Sequence, residues 1–336
     1  MAPETTLAPQ FRTAETMTRR RWADKWAGGL ALLTLTACMT TQPPAPTPLP
    51  TTGGGNVAVE TKPPSAQSQS LALYYGRVQA DLLVQGLLRV DGGGVDTPFT
   101  DTDLVRNFDR IAFYDEYAPN QGFQKPSDQA GGLRKWAGPV RFGLEFGASV
   151  PQAQRDLDTK VVQDYAKRLA RITGHPISMG NERSANFHVL FMGEDDRAEA
   201  VRRMREIEPG VNTATVGMIQ RLPRSIHCIV VAFAANEQSR TYRRAIALIR
   251  AEHPNLTRKS CVHEELAQGL GLANDSPKAR PSIFNDDDEF AFLTTHDEML
   301  LMMLYDPALK VGMTREEVLP LVREMAAELV NGPPGS

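Results

Sequence analysis

The residues best suited to chemistry lie at 261–275, Cys-Val-His-Glu-Glu-Leu-Ala-Gln-Gly-Leu-Gly-Leu-Ala-Asn-Asp. Val262, Leu266 and Leu270 recur at four-residue steps, which predicts a helix with these three on its core face. Glu264 and Gln268 are also four apart and share a neighbouring face, with Glu265 one position on. Gly271 can take the positive φ that ends a helix and turns the chain, so Asn274 and Asp275 can return over that face. Metal-dependent hydrolysis has these geometric requirements. Two ligands sit one helical turn apart, a glutamate between them takes a proton from bound water, and a third ligand follows a turn. Carboxylates can bind zinc, but neutral amides suit harder cations such as calcium or magnesium. His263 and Glu264 begin a His-Glu-x-x pattern, which would make His263 a zinc ligand, but position 267 is alanine. The same stretch also reads as an acidic helix end whose Asn274 and Asp275 form a turn bonded to its own backbone.

The elements that would position this stretch can be read from periodicity. Leu71, Tyr74, Tyr75, Val78, Leu82 and Leu87 predict a helix over 71–90, broken by Asp91-Gly92-Gly93-Gly94. Phe108, Ile111, Phe113 and Tyr114 read as a short strand over 107–115, and the alternation of 139–147 as another. Positions 152–173 predict an amphipathic helix ended by Gly174 and Pro176. A strand at 187–192 and a polar helix at 197–207 follow. The apolar run 226–235 reads as a strand covered on both faces, and 241–252 as an amphipathic helix stopped by Pro254. Mainly helix comes after that. The expected fold class is α/β (α+β), a mixed sheet with helices packed on it. The acidic run 285–289 lacks the spaced ligands and glycine of a calcium loop and reads as solvated. His296 reads as a surface residue and His227 as a strand residue.

Laid over this chain without a gap, 264–275 resembles the metzincin zinc proteases, with Leu270-Gly271-Leu272 on their Leu-Gly-Leu turn. The resemblance implies a zincin-like domain with an active-site-type helix. It gives Glu265 the place of general base and Glu264, Gln268 and Asn274 the places of the metal ligands, for zinc or calcium. Asp275 matches the acidic residue that often follows the third ligand. Phe284, in Ser282-Ile283-Phe284, stands where a methionine turn would lie under the metal. The segment 293–305, opening on Thr294, Thr295, Asp297 and Glu298 and closing on Leu304-Tyr305, is similar to the last metzincin helix. Because all three ligand positions differ from histidine, the resemblance implies a binding or structural protein, and a metallopeptidase as the alternative. Glu-Glu-Leu-x-Gln-x-Leu-Gly-Leu-x-Asn-Asp together with Ser-Ile-Phe and Leu-Tyr-Asp-Pro also resembles an uncharacterised bacterial family of exported proteins, known only as a domain of unknown function. That likeness spans 71–313 and is most specific in its last fifty residues.

The amino terminus carries Arg19, Arg20, Arg21 and Lys25, then an apolar run at 27–37 too short to span a bilayer. Leu35-Thr36-Ala37-Cys38 resembles a bacterial lipobox. It implies that 1–37 is a lipoprotein signal peptide starting at Met1 or Met17 and that Cys38 is acylated by palmitate-type chains. Each buried methylene would add about 0.8 kcal/mol of membrane affinity. Met39 in place of an aspartate favours the outer membrane, facing the periplasm, so the membrane is the first expected partner and a peptide or envelope protein the second. Pro-, Thr-, Gly- and Ser-rich 38–70 reads as a tether, 71–330 as one domain and 331–336 as a tail. Residues 1–37 hold five basic and three acidic residues of the chain's 37 and 40, so the remainder carries 32 against 37, a net charge of −5. That balance excludes a general nucleic-acid binder. Cys228 and Cys261 are either one disulfide, constraining the unfolded chain by about 3–4 kcal/mol, or two buried thiols.

Overall fold

The computed structural model describes residues 63–118, 121–235 and 239–332. The expected signal peptide, Cys38 and most of the expected tether lie outside the described residues, as do 333–336. Within them the sheet is built by six strands: β1 (Lys135–Trp136), β2 (Val140–Phe146), β3 (Ile177–Met179), β4 (Phe187–Met192), β5 (Cys228–Ala234) and β6 (Thr241–Arg250). β3, β2, β4 and β6 run parallel in that order. β1 continues the line of β4 beside Thr241 and Tyr242, at the start of β6. β5 is the antiparallel edge, with Cys228 opposite Ile249 and Ala232 opposite Ala245.

Alternation along the central strands sorts the core into two layers. Phe187, Val189 and Phe191 of β4, with Ala245, Ala247 and Ile249 of β6, face one cluster of helices. These are α2 (Asp101–Phe113), α3 (Gln152–Thr173), α6 (Asn255–Gln268), α7 (Thr295–Tyr305) and α8 (Arg315–Asn331). Leu190, Met192, Ile246 and Leu248 face the other way, onto α4 (Arg197–Ile207) and α5 (Thr213–Gln220). Because β4 and β6 are covered on both faces, their apolar residues form near-continuous runs.

This layering explains two departures from the sequence reading. The segment at 241–252 is not a helix but β6, whose uninterrupted Ala245–Ile249 stretch imitates a helical stripe when read alone. Conversely, 107–115 is not a strand but the end of α2. Thr100 and Asp103 form a capping box there, and Leu104, Phe108, Ile111 and Ala112 supply a helical stripe on the core face. β5 is the edge strand, and beyond Cys228 and Ile229 its residues are half-buried, not covered on both faces as expected. The first helix, α1 (Ala66–Val84), starts earlier than periodicity suggested, because Ser65 caps it by accepting from Ser68 N. No helix among the described residues is long and apolar enough to cross a membrane.

α6 follows β6 directly and is held on several sides. The Arg258 Nε donates to both Asp158 carboxylate oxygens on α3 at 2.8 Å. The Tyr165 hydroxyl of α3 donates to the His263 carbonyl at 2.7 Å. Beyond α6, Gly271 has φ 132, and an added Cβ would stand 2.5 Å from the Arg134 carbonyl oxygen. Only glycine fits that turn. α7 is capped by Thr294 and Asp297. His296 is not a surface residue: it is fully buried, with its Nε2 3.0 Å from Asn107 Nδ2.

Candidate functional site

The last turns of α6 open onto a cavity of about 350 Å³, lined by Glu116, Glu264, Glu265, Asp275, Asp286 and Asp288 together with Gln268, Tyr117 and His227. Helical spacing puts Glu264, Glu265 and Gln268 on its floor, and the Gly271 turn brings Asp275 back over them. The Gln268 Nε2 donates to Asp275 Oδ1 at 3.2 Å. Glu116 arrives from just after α2. Asp286 and Asp288, both exposed, come from the loop before α7. That loop is fixed from below by buried Asp297, which accepts from Ser282 Oγ at 2.5 Å and from Ile283 N at 3.0 Å. Phe284, fully buried, packs in the core under the site while Ile283 lines it.

Among the described residues no lysine or arginine lines the cavity, so the carboxylates raise one another. Burial, then Asp275 and Glu116, pushes the Glu264 carboxyl well above the usual range. Burial, then Glu264, Glu116 and Asp275, does the same to Glu265. Asp275 is raised by burial and by Glu116 and Asp286, with the Gln268 amide pulling slightly the other way. Burial also raises Glu116 and lowers His227. The least satisfied atom is Glu265 Oε2: the residue is 4% exposed and this oxygen has no hydrogen-bond partner. A buried acceptor without a donor costs about 1–3 kcal/mol, and Glu265 lines the cavity.

Cys228, at the start of β5, and Cys261, one turn before the glutamates on α6, are joined by a disulfide with a Cα–Cα distance of 5.9 Å. The Cys228 sulfur, a Glu264 oxygen and a Glu265 oxygen all lie within 4.8 Å of one another.

Two residues placed in the ligand set by sequence stand elsewhere. The Asn274 amide donates to the Arg110 carbonyl at 3.1 Å and does not line the cavity. His263 points to the opposite side of α6. There it stacks on Tyr165 at 4.1 Å between ring centres, accepts from Leu293 N at 3.2 Å, and is held neutral by burial. The chain turn that would return Asn274 instead returns its neighbour Asp275. Conversely, Glu116, Asp286, Asp288 and His227 were not recognisable as members of the site. The acidic run at 285–289 was the one visible signal for any of them.

Zinc prefers thiolate and imidazole donors. Here the nearby sulfur is in a disulfide, and His227 is the one imidazole in the lining. The remaining donors are carboxylate and amide oxygens, which fit a hard divalent cation better than zinc.

No curated protein matches this chain, and no solved structure matches it. Residues 101–324 do match a family described as "Protein of unknown function (DUF2927)", a span from the first residue of α2 into α8 that contains every residue of the cavity. The chain belongs to the DUF2927 family.

Proposed function

We propose that this chain is a cell-envelope binding protein, lipid-anchored through Cys38, whose zincin-like domain holds a hard divalent cation of the calcium type in the acidic cavity. The observation that carries the reading is Glu265 Oε2, a buried oxygen without a partner in a cavity that no lysine or arginine lines among the described residues. Glu264, Glu265, Asp275 and the Gln268 carbonyl supply the ligand oxygens. A bound cation would neutralise their repulsion and leave Asp286 and Asp288 at the rim to meet a peptide or another envelope protein. The metzincin likeness then describes the helix and its glycine turn, with the ligands changed from nitrogen to oxygen.

Calorimetric titration of the chelator-stripped protein with calcium and with magnesium tests this. One cation per chain is expected, with affinity reduced at least about tenfold, or 1.4 kcal/mol, in Glu265→Gln. If neither cation binds, or if the variant binds equally well, the reading is rejected.

One observation favours a hydrolase as the second reading. A buried carboxylate with a raised pKa and a free oxygen is a stronger base than an ordinary one and is placed to take a proton from water. Glu265 would be that base. Peptide-library cleavage by the wild type that survives Glu265→Gln would remove it from that role.

The anchor has its own measurement. Cys38→Ala is expected to move the protein from the membrane fraction to the soluble fraction of the envelope, and unchanged fractionation would refute lipidation at this residue.

A further inference from the structure

The disulfide stands at the wall of this site, where Cys228 lines the cavity. Cys261 precedes Glu264 by three residues and Glu265 by four, the spacing that stacks side chains on one helical face. Across the cleft, Cys228 is fixed in the sheet by the pairing of β5 with β6. Its sulfur therefore lies within 4.8 Å of oxygens from both glutamates, and it lines the cavity. A sulfur in a disulfide is a poor ligand, whereas a thiolate is a strong one for zinc and similar ions.

We propose that the Cys228–Cys261 disulfide masks a second metal-binding state of the cavity. Opened by a dithiol reductant, Cys228 joins Glu264 and Glu265 to bind a thiophilic divalent ion such as zinc. In the opening step the S–S bond breaks, the dithiol supplies two electrons and two protons, and it leaves as its own disulfide. Cys228 then gives its proton to solvent as the metal–sulfur bond forms. The strand pairing of β5 with β6 and the core packing of Val262, Leu266 and Ala267 of α6 are made by other residues, and the proposal requires both walls to stay in place when the bond opens. Cys261, 2% exposed and outside the cavity lining, remains a buried thiol. The proposal shares the cavity with the calcium reading but uses the other oxidation state, so the two can fail separately.

Cobalt reports the sulfur ligand directly, through a thiolate-to-metal charge-transfer band. Full-length protein in a Cys38→Ser background, which removes the third thiol, is stripped of metal and titrated with Co²⁺. Oxidised protein should show no band. Protein reduced with a dithiol and then desalted should show it, at one equivalent. Cys261→Ala, which frees Cys228 without reductant, should show it too, and should bind zinc at least about tenfold more tightly than the oxidised protein. Cys228→Ala should show none.

The proposal is overturned if reduced protein and Cys261→Ala both lack the band. It is also overturned if Cys228→Ala gives the same band, or if adding Glu264→Gln and Glu265→Gln to Cys261→Ala leaves the band unchanged. Should Cys261→Ala fail to fold by circular dichroism, the reduced wild type decides. If that unfolds as well, the bond is a staple and the proposal falls. Calcium titration of the oxidised protein is run alongside. Its failure with the cobalt band intact rejects only the calcium reading.

Discussion

Asp158→Ala is expected to destabilise the domain by about 3–5 kcal/mol in chemical denaturation, because it strands the Arg258 guanidinium in the interior. The side chains are 3% and 5% exposed, and the pair bridges α6 to α3. Burial pushes the Asp158 carboxyl upward while Arg258 offsets it, so the pair is held at a desolvation cost that their mutual contact and the hydrogen bonds around it repay. Arg258 also donates to the His253 carbonyl at 2.6 Å and to Asn255 Oδ1 at 2.8 Å, tying down the first turn of the helix that carries the glutamates. The control is Asp158→Leu with Arg258→Met, which leaves no charge buried. It should cost less than Asp158→Ala alone despite changing two residues. If the double variant is the less stable, the pair contributes net stability and its role is more than positional.

How much of this was readable beforehand depended on whether the information was local. The 152–173 helix has its stripe, its glycine stop and its length in one window, and it appears with those bounds. The helix of Glu264 and Glu265 was similarly local, and the strict spacing of Val262, Leu266 and Leu270 fixed which face the glutamates would take. β6 was misread because the cause of its composition, a helix layer on each of its two faces, lies outside the segment. The site divides in the same way. Glu264, Glu265 and Gln268 follow from helical geometry. Asn274 against Asp275 is a one-residue question decided by how Gly271 packs on the Arg134 carbonyl. Glu116, 148 positions before Glu264 in the chain, reaches the cavity only through tertiary packing, and no local pattern marks it. His296 fell to the same blindness, since a capped helix start looks exposed until a buried Asn107 is found against it.

The acidic cavity should also leave a signature in the pH dependence of stability. Carboxyls raised in the folded state, as Glu264, Glu265 and Asp275 are, bind protons that the unfolded chain has already released. Their contribution is therefore fully present below the ordinary carboxylate range and is lost as pH rises through the raised values. Other groups act in the opposite direction. Buried neutral histidines, His253 at about 3 among them, lose stability as pH falls below about 6.5, the ordinary histidine value. Glu145, raised by burial but held at about 2 by His188 and Arg203, loses its share below the carboxylate range. A raw melting profile mixes all three, so the cluster is isolated by difference.

Without metal, Glu264→Gln with Glu265→Gln should melt above the wild type at about pH 8, by about 2–4 °C for each kcal/mol of repulsion removed. The gap should close toward about pH 5, where the wild-type carboxyls carry their protons. Calcium at a hundred times its dissociation constant should stabilise the oxidised wild type by about 2.7 kcal/mol at the higher pH. It should do less at the lower pH, where protons compete, and nothing for the double variant. A variant that melts below the wild type at about pH 8 would mean the two glutamates are stabilised by partners, not repelled by neighbours. That result would remove the basis for a cation at this site, because the charge of a bound ion stabilises the fold only if the carboxylates repel one another without it.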